Sequence, residues 1–330
     1  MSRLINWLAS LISKKSDLSP NSVRLEACSI CQLRCPLCPT GKGINKIGPV
    51  GWGYLKFRDF KKFVDGNPQI HKIELSNWGE IFLNPQLGRI IKYAYERKIS
   101  LTADNGVNLN SATDSVLESL VKYQFKSLTV SLDGASSRTY QFYRRGGNFN
   151  RVLQNIKKIN SFKEKYQSIY PKLTWQFIIM GHNEKELPQA RQMAERLKMN
   201  FRCKLNWNSS FSPIVDVEYV KKESGLGVIS REEFRQKKER EYLLACSQFW
   251  LSPQINWDGK LLGCCINQWG DFGNVFKKGF KNCLESQRYI YAKEMLLGKR
   301  VARDDIPCSR CPTYQKILES PLKKEDLFKK

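Results

Sequence analysis

Three cysteines in the run Cys31-Gln-Leu-Arg-Cys35-Pro-Leu-Cys38 limit what this chain can fold into more than any other feature. Three thiolates on one tight loop can hold three irons of a [4Fe–4S] cube and leave the fourth iron open. Such an iron can bind and reduce a small molecule instead of only relaying electrons. Cys28 precedes the triplet, so the stretch also reads as two C-x-x-C pairs. Zinc modules normally separate such pairs by a dozen or more residues, and the interval between Cys31 and Cys35 is cramped for a four-thiolate tetrahedron. A two-cluster ferredoxin run would place its cysteines in another order. Zinc binding or redox disulfide chemistry is the alternative use of the loop.

Further patterns follow in series. The apolar segment from Ser22 to Ala27 reads as a strand feeding the cysteine loop, and Ile73-Glu-Leu-Ser-Asn-Trp-Gly79-Glu80 reads as a second strand with a polar end. A later strand, Ser127-Leu-Thr-Val-Ser131, runs into Leu-Asp133-Gly134, and Arg144 comes eleven residues after Asp133. Towards the C-terminus, Cys246 is followed by an Asp258-Gly259 turn, then Cys264 and Cys265, and finally Cys308-Ser-Arg-Cys311. The Asp-Gly turn predicts a hairpin delivering a thiolate, and the last pair is a chelating knuckle.

Together these motifs resemble the radical S-adenosylmethionine (SAM) superfamily, and the resemblance spans residues 22–320. It implies an α/β fold, a partial (β/α)6 TIM-like barrel with a small C-terminal Twitch/SPASM-like iron–sulfur domain. It implies that Cys31, Cys35 and Cys38 hold a [4Fe–4S] cluster whose open iron chelates the amino and carboxylate groups of SAM. Gly79 and Glu80 match the family's Gly-Gly-Glu element, with Trp78 in place of the first glycine. Glu80 would meet the SAM ammonium as a charge-assisted pair. Ser131 and Asp133 match a Ser-x-Asp-Gly strand end, and Arg144 matches the arginine that clamps the SAM carboxylate, a bidentate task suited to guanidinium. Arg145 is the adjacent competitor. A full SPASM module adds cysteines after its final pair, and residues 312–330 contain none. The resemblance therefore implies the shorter Twitch-like form, with one auxiliary [4Fe–4S] cluster on Cys246, Cys264, Cys308 and Cys311. Cys265 could replace Cys264, and zinc on the same four thiols is the alternative.

Hydrophobic periodicity predicts alternating elements. Helices are expected over 57–64, 85–98, 115–123, 149–163 and 186–197, and strands over 70–75, 100–103, 128–132, 173–180 and 201–205. That alternation argues for parallel strands whose ends face the active site. Residues 206–245 break the rhythm and read as a linker. The expected organisation is an amphipathic helix at 1–20, the barrel at 21–205, the linker, and an auxiliary domain at 246–330. The first segment places Leu4, Trp7, Leu8, Leu11 and Ile12 at helical spacing; packing against the barrel and peripheral membrane contact are its two readings.

The cysteine count is 11 and no secretory signal is read, so a reducing, cytoplasmic setting is expected. Lysine and arginine number 55 against 31 acids, a net charge of +24. That field would gather an anionic partner. The aromatic–basic strand motifs of nucleic-acid modules are absent, which argues against nucleic acid. An acidic leader peptide or an anionic lipid surface fits equally well, and a merely solvated basic surface is the plainer reading.

By resemblance, the chain would cleave SAM reductively to a 5′-deoxyadenosyl radical that takes hydrogen from a substrate. The favoured substrate is a ribosomally made peptide undergoing modification, delivered with the help of a separate peptide-recognition protein. A flavodoxin or ferredoxin would supply the electron. Radical dehydrogenation or epimerisation of a sugar or cyclitol is the first alternative, and a non-catalytic iron–sulfur scaffold or electron-transfer protein the second. Cys265, next to an expected cluster ligand, is the candidate catalytic thiol for returning a hydrogen atom.

Overall fold

The computed structural model describes residues 20–319. The amphipathic helix expected near the N-terminus and the lysine-rich end at 323–330 lie outside them.

Six parallel strands form the body of one sheet: β1 (Ser22–Leu25), β2 (Lys72–Glu74), β3 (Ser100–Val107), β4 (Ser127–Ser131), β5 (Lys172–Ile179) and β6 (Asn200–Leu205). They lie in sequence order, each hydrogen-bonded to the next. Helices return the chain between strands, among them Phe57–Asp65, Leu87–Glu96, Asp114–Lys122, Phe149–Lys165 and Leu187–Arg196. Sequential parallel pairing through helical crossovers is the parallel arrangement the alternation predicts, and the partial (β/α)6 barrel the family resemblance implies.

Side-chain alternation divides the sheet into two faces. On β5, Trp175 and Phe177 turn towards the helices, packing on Phe149 and on Phe201 of β6. The indole nitrogen of Trp175 donates to the Leu132 carbonyl at 2.7 Å, which satisfies its polar edge inside an apolar layer. The intervening Gln176 faces the other way, towards Ser131 and the cations of β6. The helix-covered face is the main core. The inner face is polar, carrying Glu26, Glu74, Thr102, Thr129, Ser131 and Gln176, all buried.

Two expectations need correction, and one element was not foreseen. The strand expected to stop at Ala103 continues to Val107, with a register shift between those residues. The shift is possible because Gly106 adopts φ 128°, and a Cβ there would lie 2.5 Å from the Ser131 hydroxyl. Residues 206–245 are not a bare linker. They form helices Val217–Ser224 and Arg231–Lys238, and their first part folds back, Gly181 N donating to Ser212 O at 2.7 Å. The helix Ser137–Tyr143, capped by the Ser136 hydroxyl, was not expected from the pattern.

The C-terminal module joins the barrel's own sheet. The Asp258-Gly259 turn links β7 (Gln254–Ile255) to β8 (Leu261–Gly263) as an antiparallel hairpin, with Gly259 at φ 87°. β7 then pairs in parallel with β1, giving the eight-strand order β6-β5-β4-β3-β2-β1-β7-β8. Among the described residues no helix is long and apolar enough to cross a membrane.

Candidate active site

The three-cysteine loop leaves the end of β1 and is fixed from below by backbone. Glu80 N donates to Ile30 O at 2.8 Å, and Arg34 N to Arg145 O at 2.9 Å. Gly79 lies directly against the loop: a Cβ there would collide with the Cys28 carbonyl and sit 2.6 Å from Ile30 O. Gly41 does the same from the far side, where a Cβ would lie 2.8 Å from Cys35 N. Leu33, Tyr143, Ile178 and Met180 pack around Cys35, with Cys31, Cys38 and Phe211 against them. Cys35 is buried, while Cys31 and Cys38 are half-buried. Phe211 belongs to the segment expected to be linker, so that segment covers part of the loop.

All cysteines are free thiols. Burial pushes the Cys31 thiol up to about 12, and the nearby Glu80 carboxylate adds to the effect. Burial also raises Cys35, with the Arg144 guanidinium opposing it. Thiols in this state become ligands when a metal supplies the positive charge. Among the described residues no three His, Cys, Asp or Glu side chains are gathered closely enough for a single metal ion. The fit to a larger group rests on the donor set itself, since three soft thiols on one loop suit an iron–sulfur cluster.

Asp133 and Arg144 meet beside this loop. Arg144 Nε and Nη2 each approach Asp133 Oδ2 at 2.6 Å, and Nη1 lies 3.8 Å from Cys35 Sγ. Asp133 is fully buried and its other oxygen accepts Ile178 N at 2.7 Å. The helix Ser137–Tyr143 closes the eleven-residue interval, with Arg144 at its C-terminal end. Arg145 is exposed and contributes its carbonyl, so Arg144 is the arginine that faces the loop. Ser131 is buried at the end of β4, between Gly106 and Gln176.

Glu80 sits deeper than expected. It is 1 % exposed, and its carboxylate accepts Phe82 N at 3.2 Å and Asn108 N at 2.6 Å. Burial holds it up near 7 against those two donors. Its charge is near enough to Cys31 to add to the upward push on that thiol.

Several residues escaped the sequence reading. Glu26, fully buried, accepts Trp78 N at 3.0 Å and Gly79 N at 3.3 Å, holding the backbone of the Trp78-Gly79-Glu80 element. Trp78 keeps that backbone role despite replacing a glycine, and its carbonyl accepts the Thr40 hydroxyl at 2.7 Å. Glu74 accepts from Ser76, Thr102, Asp104 and Asn105, tying β2 to β3. Asn108 receives Gln32 Nε2 at 2.8 Å and places its own amide 3.8 Å from Cys31 Sγ. A single Glu or Asn at a strand end carries no spacing signal, so none of these stands out in the sequence.

The second cysteine set is assembled from distant segments. Cys246, Cys264, Cys308 and Cys311 line one cavity with Phe249, Trp269 and Tyr314. All four thiols are buried. Burial and mutual repulsion raise Cys246, Cys264 and Cys308 well above the ordinary thiol range. The Tyr314 hydroxyl, also buried, has no hydrogen-bond partner, an orphaned donor at the wall of a thiol-lined cavity. Four thiols with a spare donor fit an iron–sulfur cluster, whose sulfurs accept hydrogen bonds.

Cys265 is not part of that wall. Its amide donates to Gln248 Oε1 at 2.7 Å, and its carbonyl accepts Asn77 Nδ2 at 3.0 Å. Its backbone thus bridges the auxiliary module to the residue before Trp78. A cleft of about 310 Å³ opens nearby, lined by Asn206, Trp207, Arg231, Tyr242, Ile266 and Thr313, among others. It lies between the end of β6 and the auxiliary cysteines.

A family model described as the radical SAM superfamily matches residues 25–194, and one described as the SPASM iron–sulfur cluster-binding domain matches residues 246–312. The structure resembles SuiB from Streptococcus suis (TM-score 0.61, 13 % identity, 84 % of this chain and 68 % of that one). It also resembles SuiB bound to its precursor peptide SuiA (0.60, 14 %, 84 % and 67 %). A third likeness is to anSMEcpe with bound AdoMet and the Cp18Cys peptide (0.58, 13 %, 90 % and 88 %). At such identities these are likenesses of fold. No curated protein matches the chain significantly by sequence.

Proposed function

The chain belongs to the radical SAM superfamily and ends in an SPASM iron–sulfur domain, and from that premise we propose that it modifies a ribosomally synthesised peptide. The reading rests on the cleft of about 310 Å³ between the end of β6 and the auxiliary module. A groove walled by both modules, edged with Trp207, Tyr242 and side chains of both charges, suits an extended chain with a polar backbone. SuiB bound to SuiA and anSMEcpe bound to a peptide support the reading as relatives in fold.

In this proposal Cys31, Cys35 and Cys38 hold a [4Fe–4S] cluster, and Cys246, Cys264, Cys308 and Cys311 hold one auxiliary cluster. When bound, the first cluster supplies the electron that splits SAM into methionine and a 5′-deoxyadenosyl radical. The chain's own residues do the positioning. Arg144, held by Asp133 and lying beside Cys35, offers its guanidinium to the SAM carboxylate. The Trp78-Gly79-Glu80 backbone, held by Glu26, lines the opposite side of the loop. Ser131 closes the strand-end floor, and Phe211 and Tyr143 exclude water from around Cys35. Cys265, tied by its backbone to Asn77, is the thiol offered for hydrogen return if the outcome is epimerisation.

The test is anaerobic incubation of reconstituted protein with SAM, dithionite and short peptides encoded beside its gene. A peptide mass change that accompanies 5′-deoxyadenosine and disappears in Cys31→Ala is the expected result. Deuterium uptake from solvent would mark epimerisation; net loss of hydrogen would mark oxidation. Formation of 5′-deoxyadenosine with a sugar but with no peptide would replace this reading by the small-molecule one.

A further inference from the structure

The inner face of β6 carries cations without counter-ions. Arg202 and Lys204 alternate with Phe201 and Cys203, so both project to the polar side of the sheet, where Gln176 Oε1 accepts from them at 3.3 and 3.5 Å. Arg202 also reaches the Asp104 carbonyl and the Thr129 hydroxyl, both neutral acceptors. Arg231, at the start of the helix Arg231–Lys238, bends over the end of the strand. Its guanidinium donates to the Leu205 carbonyl at 3.3 and 3.4 Å and stacks 5.0 Å from the Tyr242 ring.

Nearby carboxylates are committed elsewhere. Asp133 is paired with Arg144, and Glu74 is surrounded by hydroxyl and amide donors from β2 and β3. Glu241, the acid that feels Arg231, lies 3.8 Å from Arg235. No carboxylate among the described residues comes within 4.0 Å of Arg202, Lys204 or Arg231. Burial, with Arg231 and Arg202 close by, holds the Lys204 ammonium down near 8. Lys204 and Arg231 are half-buried and Arg202 is exposed beside them; gathering like charges around a part-buried lysine is unfavourable unless something of opposite sign arrives.

We propose that Arg202, Lys204 and Arg231 form a subsite for an oxyanion of the substrate, which on a peptide is the carboxylate of an acidic residue near the position that reacts. The subsite lies on the same inner face as Ser131 and within electrostatic reach of Asp133 and Arg144, so an anion held there sits beside the cofactor residues. Arginine supplies a planar fork and lysine a mobile point charge, a pairing that holds a carboxylate while letting it shift along the face. This inference rests on the peptide reading for the source of the anion and on the β6 geometry for its charge.

The test uses the full-length, cluster-reconstituted protein saturated with SAM, so that Arg144 is already engaged. Calorimetric titrations compare a capped pentapeptide with a central glutamate, its glutamine twin, a phosphoserine version, glutarate and inorganic phosphate. The glutamate peptide should bind at least about tenfold more tightly than its glutamine twin. In the Arg202→Gln/Lys204→Met double variant that preference should fall below about twofold. Equal binding of the twins by the wild type, or a preference that survives in the double variant, overturns the subsite. Binding of glutarate or phosphate that depends on Arg202 and Lys204, with no peptide bound, keeps the anion subsite and removes the peptide. Tighter binding of the phosphoserine peptide by tenfold or more overturns the carboxylate assignment. Lys204→Met should melt no lower than the wild type, because it removes an uncompensated charge. A melting point lower by several degrees would show a structural lysine and sink the idea.

Discussion

The two cysteine sites are built on opposite plans. The N-terminal set sits on one short loop, leaves Cys31 and Cys38 half-buried, and is ringed by hydrogen-bonding and charged groups: Glu80, Asn108, Gln32 and the Asp133–Arg144 pair. The C-terminal set draws Cys246, Cys264, Cys308 and Cys311 from three separate stretches, buries all four, and walls them with Phe249, Trp269 and Tyr314. A half-open loop with an arginine beside it is shaped to admit a charged ligand. A closed aromatic box excludes one, and suits storing or passing an electron. Local thiols are cheap to gather but need polar neighbours to fix them; distant thiols need a packed core to gather them at all.

Breaking each set in turn gives the largest expected difference. Cys31→Ala, Cys35→Ala or Cys38→Ala should reduce 5′-deoxyadenosine to background by chromatography. Cys308→Ala should lose about four irons per chain, one cube's worth, yet still cleave SAM while failing to complete the peptide product. Equal loss of SAM cleavage in both groups would erase the contrast between the sites.

Gly79→Ala comes next. Its methyl would strike the backbone of Cys28 and Ile30, which has no room to yield. The cost should be about 1–3 kcal/mol or more, read as a lower melting temperature together with poorer iron uptake by the first site alone. Iron binding by the auxiliary cysteines should be unaffected, which Cys31→Ala/Gly79→Ala protein would report directly.

The carboxylates under the loop give a smaller, pH-dependent effect. Glu26 holds its proton up to about 8 in the folded chain, against 4.5 ordinarily. Between those values the folded state binds a proton the unfolded state has released, so stability falls as pH rises through that window. Glu26→Gln should flatten part of the decline in melting temperature between pH 5 and pH 8, while Glu80, near 7, keeps its own share. An unchanged slope would mean that Glu26 is not the buried acid described.

Tyr314→Phe should be the mildest. The buried hydroxyl has no protein partner, so removing it should leave the cluster-free protein as stable or stabilise it by about 1 kcal/mol, never destabilise it. In the reconstituted protein it should shift the auxiliary cluster's reduction potential, measured by spectroscopic titration, and leave the first cluster's potential alone.

How far the sequence carried can be judged from particular residues. The cysteine spacings, the alternating elements and the Asp258-Gly259 hairpin were all legible, because each follows from local periodicity or turn chemistry. The resemblance placed Asp133 and Arg144 each at the SAM site; their ion pair with one another was not foreseen, nor was the helix Ser137–Tyr143 that brings it about, since its seven residues are too few for a clear pattern. Glu26, Glu74 and Asn108 were invisible because a lone polar residue at a strand end looks the same whether it faces solvent or a sealed interior. Residues 206–216 read as linker on their Asn, Ser and Pro content, yet Phe211 and Ser212 dock on the barrel through ring contacts and hydrogen bonds that composition does not encode. The cations of β6 were hidden in a basic chain, where two more positive charges raise no signal.

The pairing of β7 with β1 has a mechanical consequence. β1 is the strand from which the first cysteine loop springs, and β7 leads into the hairpin that presents Cys264. Main-chain bonds between neighbouring strands therefore set the separation between the two cysteine sites, not the long stretch of chain that runs from Cys38 to Cys246. Extra residues inserted among 225–229 should leave electron traffic between them untouched, whereas a one-residue slip along β7 would retune it.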